Sequence, residues 1–339
     1  MKEEDLYLDF WGVKVIKVMN AAGTIRGPEE LQELTICESV GPIVVGSYTK
    51  EPRTGNPGQV YWPDPLGRYS VNVNGLPNLG ADWCKKSLPG MVKIAREPIY
   101  HPLIVSVAGF NPQEYAELAD LALGAGAFGV ELNLSCPNVY SADGQQKKIP
   151  CFYPNLTNEI LTAVEKTIGR DAIVWVKISP CCDLQQKALL MKALSDNNLV
   201  GEIYFESVIY YSLEGMAEVL LDHKVVKAVV CVNTWPNILA VDETGKSRLT
   251  FAGGVGGLGG FVLKEIGLNQ TRRLSQIFKD RIHKVDIIGC GGISNGQDVV
   301  DYLKAGAMAV QVATAFLEKG VRVFDDITWQ LADLIDTSF

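Results

Sequence analysis

The run VELNLSCPNV, residues 130 to 139, ends an apolar stretch with an amide at Asn133, a hydroxyl at Ser135, a thiol at Cys136 and a second amide at Asn138. Such groups are costly to bury unpaired. Two readings are open: polar turn residues closing a strand beside an inert, half-buried thiol, or a catalytic strand tip. A lysine, Lys177, closes another apolar run, VWVKIS, where an unpaired ammonium would be expensive. Two glycine-rich stretches, FAGGVGGLGGFVLKEIGLNQ and IIGCGGISNGQDVV, lead into helical sequence. Glycine there lets backbone N–H groups come close to a ligand, and a helix start favours an anion. Metal chemistry finds no support: the eight cysteines include no CxxC pair, and three histidines (His101, His223, His283) occur with no HExxH.

The elements that must carry these groups follow from periodicity. IKVMNAAG, GPIVVGS, PLIVSVAG, FGVELNLS, AIVWVKIS, VKAVVCVNT, VDIIGCGG and MAVQVATA are runs of strand length, apolar on both faces as buried parallel strands are. Helical sequence lies between several of them, as in GPEELQELTICES, NPQEYAELADLALGAG, NLTNEILTAVEKTIG, SLEGMAEVLLDH, NQTRRLSQIFKD and NGQDVVDYLKAG. Alternation of this kind predicts an α/β protein with a (β/α)8 TIM barrel, a doubly wound open sheet being the competing arrangement. The barrel gains from position: Asn20, Asn133, Lys177, Asn233 and the glycines at 289, 291 and 292 all sit at the C-terminal ends of their runs, where barrel enzymes place their chemistry. With QVATAF after the last run, the glycine-rich stretches match the barrel's phosphate-binding corner and point to a phosphorylated ligand.

No repeat or Pro/Ser-rich linker divides the chain, so residues 1–339 read as one domain. Residues 47 to 78 form a predicted hairpin-bearing loop after the second strand, and residues 183 to 211 add an extra helix and an extra strand between strands five and six. A net charge of −8 without a basic stripe argues against a nucleic-acid partner. No apolar run of eighteen residues or secretory leader is found, so neither a membrane span nor export is expected, and the scattered cysteines suit a reducing cytoplasm.

The motifs MNAAG, GNP followed by NVNGLPNLG, ELNLSCPNV, VKISP, CVNT, GGVGGLGG, GCGGISNGQD and VQVATA occur in the order seen in cytosolic, fumarate-type dihydroorotate dehydrogenases. The resemblance covers about residues 15 to 325. It implies a barrel binding flavin mononucleotide (FMN) that exchanges a hydride with a dihydropyrimidine, working with a soluble second electron acceptor, as a fumarate-using homodimer in preference to the NAD-using members that pair with an iron–sulfur flavoprotein. Quinone-using, membrane-associated members carry serine where this chain has Cys136.

Oxidising a saturated carbon–carbon bond beside a carbonyl removes a proton from one carbon and a hydride from its neighbour, so a base must face the flavin across the substrate. The resemblance makes Cys136 that base. It implies a substrate site of Asn72, Asn74, Leu76, Asn133, Asn138, Asn233 and Thr234, since amides offer both donors and acceptors to a pyrimidine edge. It implies a cofactor site of Ala22, Gly23, Asn133, Lys177, Gly259, Gly260, Gly291, Gly292, Ala313 and Thr314. Departures also stand out. Counting back from GNP puts Gly46 where the family has a lysine that reaches the flavin and the substrate carboxylate, with Lys50 four residues on. Asn74 replaces a common methionine, the stretch YSADGQQKK lengthens the lid after Cys136, and residues 183 to 211 are additional. The alternative is a flavin-binding paralogue without dihydroorotate turnover, acting on a carboxylate-free dihydropyrimidine or serving in binding or regulation.

Overall fold

The computed structural model describes residues 6–140, 146–181 and 212–336. The expected helix and strand of 183–211, and part of the lengthened lid, lie outside the described residues. The described chain begins with a hairpin, β1 (Tyr7–Phe10) and β2 (Val13–Ile16). Trp11 and Gly12 turn it, both at positive φ, and the Gly12 N–H donates to the Asp9 carboxylate at 2.6 Å.

The eight apolar runs become eight parallel strands of one sheet: β3 (Val18–Asn20), β4 (Ile43–Tyr48), β7 (Leu103–Val107), β8 (Gly129–Asn133), β9 (Val174–Ile178), β10 (Val226–Cys231), β13 (Asp286–Cys290) and β14 (Ala309–Val312). Their order is β3-β14-β13-β10-β9-β8-β7-β4, a TIM barrel with one unpaired seam. One backbone bond and one side chain close that seam. The Gly41 N–H donates to the Val18 carbonyl at 2.8 Å. The buried Asn20 amide then acts as a piece of backbone, donating to the Val44 carbonyl at 2.7 Å and accepting from the Val44 N–H at 2.8 Å.

Most of these strands are buried along their length because both faces meet apolar partners. One face meets a ring of helices: α1 (Pro28–Thr35), α2 (Gly80–Ile94), α3 (Pro112–Gly124), α4 (Pro154–Ile168), α5 (Leu213–Asp222), α6 (Lys264–Phe278), α7 (Gly296–Ala305), α8 (Thr314–Lys319) and α9 (Arg322–Asp336). The other face fills the barrel with Met19, Val44, Ile104, Trp175, Val230 and Ile288. The β1–β2 hairpin plugs the floor: Phe10 lies 5.4 Å from Trp175, edge to face, and 5.6 Å from Phe128.

Over the opposite mouth lies a four-stranded antiparallel sheet, β11-β12-β6-β5. The predicted hairpin of 47–78 supplies β5 (Tyr61–Pro63) and β6 (Ser70–Asn72). The segment after β10 supplies β11 (Trp235–Leu239) and β12 (Val255–Gly259). Its glycines serve close approach first: a Cβ on Gly256 would stand 2.6 Å from the Asn72 carbonyl oxygen, and one on Gly257 would stand 2.2 Å from the Thr234 hydroxyl. That much of GGVGGLGG is sheet packing, and it follows the sixth barrel strand.

Candidate active site

Between the barrel mouth and this sheet is a cavity of about 340 Å³. Asn133 is the last residue of β8, and its carbonyl accepts from Tyr115 Oη of α3 at 2.9 Å. The chain then crosses the mouth, with the Leu134 N–H donating to the Lys177 carbonyl at 3.2 Å. Asn233, two residues beyond β10, is pinned by its own N–H to the Ile178 carbonyl at 2.8 Å. Asn72 comes from above, on β6. The four predicted amides thus meet from three separate stretches of chain, and all line the cavity with Cys136, Thr234, Asn74 and Leu76.

They form two pairs. Asn138 Nδ2 donates to Asn72 Oδ1 at 2.8 Å, and Asn138 is held by Asn56, whose amide donates to its carbonyl at 3.0 Å. Asn233 Nδ2 donates to Ser135 Oγ at 2.8 Å and reaches Asn133 Oδ1 at 3.4 Å. Leu76 is held at φ 58°, a left-handed conformation that is strained for a γ-branched residue, at the cavity wall beside Gly75 and Pro77.

Cys136 reaches the cavity half-buried. Burial pushes its thiol up to about 11, against a lowering by a backbone hydrogen bond at Asn138 and by the Arg53 guanidinium. The resting thiol at neutral pH is therefore protonated, a form ready to give a proton; taking one requires the pull of a bound ligand beyond that of Arg53.

Lys177 is 4% exposed and is not unpaired. Its Nζ donates to Gln311 Oε1 at 2.8 Å and lies 4.0 Å from Glu131 Oε1, while Gln311 Nε2 donates to Glu131 Oε2 at 2.8 Å. Ser106 Oγ reaches Glu131 Oε1 at 3.4 Å, Ser47 and Ser106 share a hydroxyl contact at 2.8 Å, and Asn133 Nδ2 donates to Ser47 Oγ at 2.9 Å. A continuous polar chain therefore runs from Lys177 to Asn133 through the top of the barrel. Sequence reasoning missed Glu131, Gln311, Ser106 and Ser47; the available signal was a polar residue inside a strand apolar on both faces.

The remaining predicted residues line the same cavity: Ala22 and Gly23 after β3, Gly259 and Gly260 at the end of β12, Gly291 and Gly292 after β13, and Ala313 and Thr314 after β14. Gly23 is at φ +90° with open space where a Cβ would stand. Gly292, at φ +70°, has Lys264 backbone 2.9 Å from that position, so no other residue fits the turn without strain.

Gly46 and Lys50 do not join them. Gly46 is at φ +98° and a Cβ there would stand 2.4 Å from the Ser106 carbonyl oxygen. The cavity is reached instead by Ser47, because the register of β4 against β7 shifts between Val45 and Tyr48 and turns the next side chain inward. Lys50 points away, paired to Glu117 at 2.9 Å and 47% exposed. Arg26, which the sequence did not single out, lines the wall beside Ser47.

A barrel whose amides, thiol and glycine turns converge on one mouth defines an α/β barrel enzyme, and the comparisons define its kind. A family model for dihydroorotate dehydrogenase matches residues 6–214 and 208–335. Similar proteins include the dihydroorotate dehydrogenase (fumarate) of Trypanosoma cruzi, 30% identical over 94% of this chain and 88% of that protein. Another is that of Lachancea kluyveri, 32% identical over 94% and 89%. The dihydroorotate dehydrogenase B (NAD(+)) catalytic subunit of Methanopyrus kandleri is 32% identical over 93% and 85%. The ferulenol complex of DHODH from Eimeria tenella superimposes with a TM-score of 0.76 at 20% identity, covering 99% of this chain and 86% of that one, which supports the fold. The chain belongs to the dihydroorotate dehydrogenase family of oxidoreductases. Among the described residues no helix is long and apolar enough to cross a membrane.

Proposed function

We propose that this protein is an FMN-dependent oxidoreductase that interconverts dihydroorotate and orotate, or a closely related dihydropyrimidine, with a soluble acceptor such as the fumarate named for its relatives. The observation that carries the reading is convergence: a thiol, two amide pairs, a buried lysine and the glycine turns line one cavity. The residues fit FMN on structural grounds. Gly23 leaves its side of the wall flat, Gly291 and Gly292 leave backbone at the wall where a side chain would intrude, and the Thr314 hydroxyl stands 3.3 Å from Ser70 Oγ near Gly259. Ala22, Gly23, Asn133 and Lys177 would hold the ring, and Gly259, Gly260, Gly291, Gly292, Ala313 and Thr314 the phosphate. The bound flavin would supply the hydride acceptor.

The protein's own part is binding and proton transfer. Asn72, Asn138, Asn133, Asn233 and Thr234 offer donors and acceptors to both edges of a pyrimidine ring, with Asn74 and Leu76 forming the wall beside it. Cys136 Sγ exchanges the proton on the ring carbon next to the one that exchanges hydride. The Lys177 ammonium supplies positive charge under the ring site. We further propose a cytoplasmic homodimer, checked by sedimentation.

Purified protein should be yellow and should bleach anaerobically on adding dihydroorotate. Colourless protein that takes up no FMN overturns the reading. A second reading, turnover of a carboxylate-free dihydropyrimidine or binding alone, is favoured by one observation: the second barrel strand presents Ser47 rather than a cation to the cavity. Bleaching by a neutral dihydropyrimidine but not by dihydroorotate would establish its catalytic form.

A further inference from the structure

We propose that Arg26 is the counter-ion for an acidic substituent on the ring held by the amides, so that the substrate is an anionic dihydropyrimidine and not a neutral one. This rests on the function proposed above.

Among the described residues, the cations on the cavity wall are Arg26, Lys177 and Lys319. Lys177 already has Glu131 at 4.0 Å and Gln311 at 2.8 Å as partners and is the cation assigned above to the flavin ring. Lys319 ends α8 next to Glu318, on the side of the phosphate turns. Arg26 differs: it is half-buried, and no described carboxylate lies within ion-pair distance of its guanidinium. Of the two carboxylates that follow it closely in sequence, Glu29 makes no ion pair with it, and Glu30 is spent on backbone, accepting from the N–H groups of Arg26 and Gly27 at 2.5 and 3.2 Å.

The position of Arg26 selects the ring side of the cavity. Its segment is laced to the end of β4: the Gly46 N–H donates to the Ile25 carbonyl at 2.9 Å, the Gly23 N–H to the Gly46 carbonyl at 2.5 Å, and Tyr48 Oη to the Arg26 carbonyl at 2.7 Å. The next residue, Ser47, carries the hydroxyl that accepts from the Asn133 amide. The glycines at 291 and 292 follow β13, which β14 separates from β3, the strand whose loop carries Arg26. At about 4.8 Å per strand that is roughly 10 Å around the barrel. A guanidinium offers parallel N–H donors that suit a carboxylate, and the half-buried setting strengthens such a pair over an exposed one. Arg26 thereby supplies from the first βα loop the charge that Ser47 does not supply from the second strand.

A carboxylate could come from the pyrimidine or from a dicarboxylate acceptor, and the experiment separates them. Orotate and uracil are titrated into the holoprotein, into Arg26→Gln and into Arg26→Lys, with binding read from the flavin absorbance. Arg26→Gln should lose roughly ten- to a hundredfold in orotate affinity. Arg26→Lys should lose less, and uracil binding and flavin content should stay within about twofold of the parent. Anaerobic half-reactions form the second arm: flavin reduction by dihydroorotate should slow at subsaturating substrate, with less effect on reoxidation by fumarate. Unchanged orotate affinity in Arg26→Gln, an equal loss for uracil, or an effect confined to reoxidation overturns the inference. A parent protein that holds no flavin and binds neither ring overturns the functional reading itself, and this inference with it.

Discussion

Burial of Cys136 sets a measurable chemistry. Its thiol is pushed from an ordinary value of 9.0 up to about 11. At pH 8 about one molecule in a thousand then carries a thiolate, against about one in ten for an unperturbed thiol of that ordinary value. The two-unit difference corresponds to about 2.7 kcal/mol held in the protonated form. Iodoacetamide labelling of the peptide that contains Cys136, followed by mass spectrometry across pH 7 to 11, reads this directly. In ligand-free folded protein, labelling should still climb steeply at pH 10, whereas protein unfolded in urea should level off near pH 9. At pH 8 the folded rate should be lower by roughly ten- to a hundredfold, the higher basicity of the thiolate offsetting part of the population effect. Replacing Arg53, whose guanidinium pulls the thiol down, by Gln should move the folded curve further upward. A folded curve that levels off near pH 9 would refute the claim that burial dominates. In turnover, Cys136→Ala should keep flavin yet slow substrate-dependent flavin reduction by roughly 10²–10⁴-fold.

Gly46→Lys should lower the melting temperature, because φ +98° costs an L-residue about 1–2 kcal/mol and its Cβ would meet the Ser106 carbonyl; Ser47→Lys, with its side chain on the cavity wall, should melt closer to the parent in differential scanning fluorimetry. Glu131→Gln leaves the Lys177 ammonium buried without a counter-charge and should cost about 3–5 kcal/mol in urea unfolding; a loss below about 1 kcal/mol would mean Gln311 suffices. Asn20→Ala strands the Val44 N–H and carbonyl at the seam and should cost about 2–4 kcal/mol, with amide exchange at Val44 accelerated more than at Val105 on the paired strand.

The barrel was legible because its strands are apolar on both faces, a pattern that fixes eight elements without knowledge of their partners. Helix α2 was not, since Gly80, Pro89 and Gly90 interrupt its helical period, yet Pro89 is accommodated inside the helix. The floor hairpin escaped because Trp11, a residue that rarely adopts positive φ, occupies its turn. At the site, the amides, the thiol and the glycine turns were legible from their place at strand ends. Gly46 was placed by counting, and counting cannot see the register shift that turns the next side chain, Ser47, into the cavity. Glu131 and Gln311 read as odd residues in apolar strands until the barrel closes and brings both to Lys177. Arg26 carried no signal at all, because its meaning depends on the absence of a nearby carboxylate in three dimensions.

The hairpin that plugs the floor has a bearing on how the chain is made. Phe10 leaves the ribosome well ahead of its partners Phe128 and Trp175. During that interval the aromatic turn has no barrel to enter and is exposed, a surface on which chaperones or other nascent chains can act. Contacts of such sequence separation form slowly, so the hairpin cannot nucleate folding and is seated only once the strands around it have assembled. Protein synthesis thus delivers the stopper before the vessel.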